Sequence, residues 1–267
     1  AHALTRSDAS ERVALLAKAM RWNAQESRFY LVASRATLGQ LAEELRKRPA
    51  APDPQRSAKI RDFISSSINL AQQATTVGPR EVDNWLNLAL VYQNLIGLVD
   101  GVDSLAEQAY LKAAELRVGD PSLFNSIGSL YLGKADLLRQ LARSAGPNEA
   151  SINVQADAAL AKAEQNFKKA IALSDTYGLA IYNLAATYDR EGKLNEAINQ
   201  LEKIIPANAD KPTVLFELGL LYYRANRKED SFNVFQQAVV LSPQFANARW
   251  YLALIYEERR DLPSAIQ

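Results

Sequence analysis

Cysteine is absent from this 267-residue chain, and its only histidine is His2. Without thiols there are no disulfides, no thiolate metal ligands and no cysteine nucleophile. With one histidine, next to the chain start, a histidine-based catalytic centre or zinc site lacks the residues to form it. Surplus charge is missing too: 31 Lys and Arg stand against 30 Asp and Glu, a net charge of +1. No global field draws in nucleic acid or an anionic membrane. No apolar run nears the ~20 residues that span a bilayer, and no basic segment followed by an apolar one opens the chain. Ser-x-x-Lys, Gly-x-Ser-x-Gly and Asn-x-Ser/Thr patterns are missing as well. What remains, 48% hydrophobic and 23% charged residues, is the composition of a folded protein with a substantial core and no sign of catalysis.

The strongest positive signal is a 34-residue step. Leu184, Leu218 and Leu252 keep it, as do Ala185, Gly219 and Ala253, then Tyr188, Tyr222 and Tyr256, then Ala197, Ser231 and Ala265. Within each unit the leucine, the small residue and the tyrosine share one helical face, and the small residue lets a neighbouring helix cross closely. Gly192 falls where the first helix should stop in a left-handed cap. A second helix follows, with Ala197, Leu201 and Ile204 in one unit and Ser231, Phe235 and Ala238 in the next. Pro243 falls in a connection, where a missing amide costs little.

Over residues 178–267 these features resemble the tetratricopeptide repeat, with its aromatic-Leu-Gly-Tyr first helix, Ala-aromatic-Ala second helix and closing proline. The resemblance continues more loosely upstream. Trp85, Leu88, Ala89 and Tyr92 pair with Ala106, Tyr110 and Ala113 across a lengthened turn at 97–103. Phe124, Ile127, Gly128 and Tyr131 pair with Ala163, Phe167 and Ala170 after an insertion at 144–148. Further upstream, residues 26–47 and 55–77 read as two long helices around a proline-rich turn at 48–54. Asp8 and Glu11 have capping-box spacing for a helix through about Arg21, and residues 18–23 look like the end of a repeat's second helix. The expected fold is therefore all-α, a right-handed α-solenoid of about six stacked antiparallel helix pairs, irregular and elongated in its N-terminal half. Three stretches are expected: irregular repeats over 1–77, elongated ones over 78–177 and regular ones over 178–267, in one continuous solenoid. The sequence reads as a piece of a longer protein, with uncapped ends that invite self-association.

Two segments imitate chemistry. Residues 128–135 carry glycines and a lysine in phosphate-loop register, but Ala135 stands where Ser or Thr must reach a metal, and Gly128 and Tyr131 already hold repeat positions. Glu229 with Asp230 and Glu257 with Glu258 are adjacent, so they point about 100° apart on a helix rather than converging. Neither supports an enzyme, and no cofactor or metal is expected.

A third column at the same step is aromatic: Tyr182, Phe216 and Trp250, two residues before each repeat leucine and about 200° around the helix from it. Ala186 and Asp189, Leu220 and Tyr223, and Leu254 and Glu257 lie on the same side. In tetratricopeptide proteins, the resemblance implies, these first-helix positions line a concave groove that holds a peptide. Here the groove reads as apolar and aromatic, unlike the basic clamp that grips acidic C-termini. A partner with hydrophobic anchors, helical or extended, is expected on Tyr182, Phe216, Leu220, Tyr223, Trp250 and Leu254. The same rings can instead pack between successive first helices. Asn87, Asn125 and Asn183 are candidates to hydrogen-bond a partner's backbone. The expected function is a protein-interaction scaffold. The alternative is a recruiting tail of a larger membrane protein with its chemistry elsewhere, since residues 18–35 resemble the start of tails on bacterial O-antigen-polymerase-like proteins. RNA binding ranks last, for want of a basic groove.

Overall fold

The computed structural model describes residues 9–47 and 53–259, with side chains from residue 15 onward. Every regular element among them is helical: α1 Ala9–Trp22, α2 Ser27–Arg46, α3 Pro54–Val77, α4 Val82–Asn94, α5 Val102–Leu116, α6 Pro121–Ala142, α7 Glu149–Leu173, α8 Gly178–Arg190, α9 Leu194–Ile204, α10 Pro212–Arg224, α11 Lys228–Leu241 and α12 Ala246–Glu258. The expected all-α class of helix pairs is what forms. The candidate capping residue Asp8, residues 48–52 of the proline-rich turn and the repeat position Ala265 lie outside the described residues. The chain divides into two compact units, Ala1–Leu130 and Tyr131–Gln267, and the boundary falls inside α6.

In the first unit, α2 pairs with α3 and α4 with α5, while α3 packs on α4. Polar side chains fix the helix ends. Asp53 caps α3 by accepting from the Gln55 amide at 2.9 Å, with Pro54 in the first turn, where its missing amide is harmless. Arg56 reaches back to the end of α2, donating from Nη2 to the carbonyls of Glu44 (2.7 Å) and Lys47 (3.0 Å). Asn84 does the same for α3, donating from Nδ2 to Ala74 O (2.9 Å) and Gly78 O (3.0 Å). Gly97 and Gly101, both at positive φ, make the lengthened turn between α4 and α5.

In the second unit, α7 packs on α8, and the pairs α8–α9 and α10–α11 follow, with α12 against α11. Gly192 takes φ 76°, the expected left-handed cap, and its counterpart one step on, Asn226, takes φ 59°. Both turns close identically: Lys193 N donates to Tyr188 O at 2.9 Å and Arg227 N to Tyr222 O at 2.8 Å. The small-residue column also holds. A Cβ on Gly219 would lie 2.5 Å from Phe235 Cε1, so any larger residue there would force the ring or the helix to shift. Residues 128–135 lie inside α6, so the phosphate-loop look-alike is a stretch of helix.

Candidate partner-binding face

The repeat tyrosines tie hairpins together and leave the opposite side of each first helix to other work. Tyr92 accepts from Gln72 Nε2 on the preceding helix at 2.9 Å, Tyr188 donates to Glu164 Oε1 at 3.3 Å and Tyr222 to Glu202 Oε1 at 2.7 Å. Cations five residues on cover two of these rings, Lys193 over Tyr188 and Arg227 over Tyr222. The Tyr222 hydroxyl is pushed well above its usual range by burial and by its bond to Glu202. Burial would raise the Glu164 carboxyl, but Lys168 at 2.6 Å and Lys193 at 3.5 Å outweigh it and hold it below the ordinary range.

The aromatic column faces away from these contacts, and its three members have three environments. Phe216 is buried, with ring centroids 5.6 Å from Phe235, 5.0 Å from Phe245 and 5.9 Å from Tyr251. Tyr182 is half-buried, and Trp250 is 57% exposed with its ring edge-on to Tyr251. The difference has a sequence cause. Phe245 and Tyr251, the rings over Phe216, are replaced one step earlier by Lys211 and Glu217, so nothing aromatic covers Tyr182. Leu220, Tyr223 and Leu254 are partly buried. Leu220 and Tyr223 pack against the core of Leu215, Phe216, Phe235 and Leu252, and Tyr223 donates to Glu258 Oε1 at 2.9 Å.

The asparagines separate. Asn87 is fully buried, donating from Nδ2 to Ser34 Oγ at 2.7 Å and accepting from Arg35 Nε at 2.8 Å. Asn125 is buried as well. Neither is open to a partner's backbone in this structure, and the Asn87 amide is engaged within the fold. Asn183 is half-exposed and lines a cleft.

That cleft, about 280 Å³, lies between α8 and α10 and is lined by Tyr182, Asn183, Ala186, Asp189, Arg190 and Glu217, among others. It is more charged than an aromatic groove. Arg190 forks onto Asp136 of α6, from Nε to Oδ1 at 2.6 Å and Nη2 to Oδ2 at 3.0 Å, and Arg224 of α10 pairs with Asp189 of α8. Sequence reasoning passed over these arginines, although Arg190 and Arg224 keep the 34-residue step. Among the described residues no group of acidic or histidine side chains is arranged to hold a metal, and no helix is long and apolar enough to cross a membrane.

Stacked helix pairs at a fixed step define a helical-repeat protein. Over residues 155–267 its repeats are tetratricopeptide repeats: family models of that description match residues 155–215 and 216–267. One similar solved structure with a TM-score above 0.5 agrees in fold. The chain is similar to pilF of Pseudomonas aeruginosa, at 16% identity and a TM-score of 0.52, covering 87% of each chain. YrrB, a tetratricopeptide-repeat protein with an unusual peptide-binding site, shows 14% identity and a TM-score of 0.48 over 87% of this chain and 95% of that one. A structure of the APC/C Cut9–Hcn1 hetero-tetramer shows 15% identity and a TM-score of 0.49. That likeness covers 97% of this chain but only 42% of the other. No curated protein matches the sequence.

Proposed function

We propose that this chain is a protein-interaction scaffold whose partner, a peptide or helix with apolar anchors, lies along the first helices α8, α10 and α12. The observation that carries the reading is the exposure of Tyr182 and Trp250 on helices whose other faces are already committed to packing. Rings left at the surface supply large contact area at little entropic cost, which is why they anchor interfaces. Phe216 supports the face from beneath rather than touching a guest. Amide hydrogen exchange, measured with and without a bound peptide selected from a random library, tests the placement. Protection concentrated in α8, α10 and α12 is expected. Protection confined to α9 and α11 would overturn it.

A further inference from the structure

We infer that the cleft between α8 and α10 receives a basic side chain of the partner, a Lys or Arg beside an apolar anchor; this deepens the reading above and rests on it. The charges in the cleft do not cancel. Arg190 is taken up by Asp136, and it also donates from Nη1 to Ala186 O at 3.0 Å. Arg224 is taken up by Asp189. Glu217 is exposed and, among the described residues, has neither a hydrogen bond nor an ion pair. Two arginines against Asp136, Asp189 and Glu217 leave one negative charge over.

The field around Glu217 reports the same imbalance. Loss of water to its neighbours and the nearby Asp189 charge raise its carboxyl above the ordinary range, while Arg190 pulls it back. Burial and the Glu217 charge likewise raise the Tyr182 hydroxyl, which places ring and carboxylate in one field. An arriving cation relieves that repulsion. An arriving carboxylate meets Glu217 and must compete with Asp136 and Asp189 for arginines already engaged. A long basic side chain suits the shape as well: its methylenes lie against Tyr182, Ala186 and Leu221, and its charged head reaches Glu217. The size of the cleft accepts a side chain rather than a folded surface.

Random dodecapeptides displayed on phage, selected against the intact chain and then synthesised, provide the probe. The selected peptides are expected to carry Lys or Arg next to an apolar residue. Their affinity should fall at least about tenfold in Glu217→Gln, with the melting temperature unchanged, and should weaken with added salt. Replacing the basic residue of the peptide by Gln should produce a similar loss on the unaltered chain and little further loss on Glu217→Gln. Peptides without basic residues that bind Glu217→Gln as well as the unaltered chain, yet are lost on Tyr182→Ala, would overturn the basic-residue inference and leave the groove reading standing. Peptides indifferent to both substitutions, or a selection that returns none, would overturn both.

Discussion

A methyl group on Gly219 would press into the Phe235 ring, whereas the preceding repeat carries Ala185 and, in the ring's place, Leu201. Small residue and neighbour therefore change together. Gly219→Ala is expected to lower stability by about 1–3 kcal/mol, and adding Phe235→Leu, which reproduces the 185 and 201 pairing, should recover part of the loss. Urea unfolding of Gly219→Ala, Phe235→Leu and the double variant measures this; a double-variant loss equal to the sum of the two single losses would show the two sites to be independent. Asn226 holds a left-handed conformation that Gly192 holds without strain. Asn226→Ala should destabilise by roughly 1 kcal/mol, and Asn226→Gly should not. Glu164, kept below the ordinary carboxylate range by its lysines, contributes stability that is present above its unfolded pKa, near 4.5, and is lost as the pH falls through its folded value. The difference in melting temperature between the unaltered chain and Glu164→Gln should accordingly shrink between pH 7 and pH 3.

At the scale of the element, three first helices share one sequence pattern and present three surfaces. The 34-residue step, the small-residue column and the glycine cap were legible because each depends on a single position with one physical solution. The burial of the aromatic column was not legible from that column alone, because it is set by residues 29 and 35 positions further on: Lys211 and Glu217 beyond Tyr182, and Phe245 and Tyr251 beyond Phe216. Those residues belong to the next helix and its approach, and a face-by-face reading of one helix does not contain them. Asn87 misled for a related reason. Its position on α4 matches the groove register, but Ser34 and Arg35 of α2 close over it. The structure predicts a split in the aromatic column. Phe216→Ala should cost about 3–5 kcal/mol, as for a large buried ring, whereas Trp250→Ala should stay within roughly 1 kcal/mol.

For the whole molecule, the family matches fall within residues 155–267, where the step is strict, and the upstream hairpins follow the same logic with longer helices and looser turns. Loose repeats keep the apolar faces that make hairpins pack and lose the fixed spacing by which family models recognise them. In a repeat array, side chains that stabilise a hairpin and side chains that touch a guest occupy different faces, so stability and binding should separate by residue. The direct test pairs melting temperature with affinity for a library-selected peptide in Phe216→Ala, Tyr182→Ala and Trp250→Ala. Loss of binding with melting preserved is expected for Tyr182→Ala and Trp250→Ala, and a large fall in melting temperature for Phe216→Ala. Full affinity in the Tyr182 and Trp250 variants together would contradict a partner-binding face on the first helices.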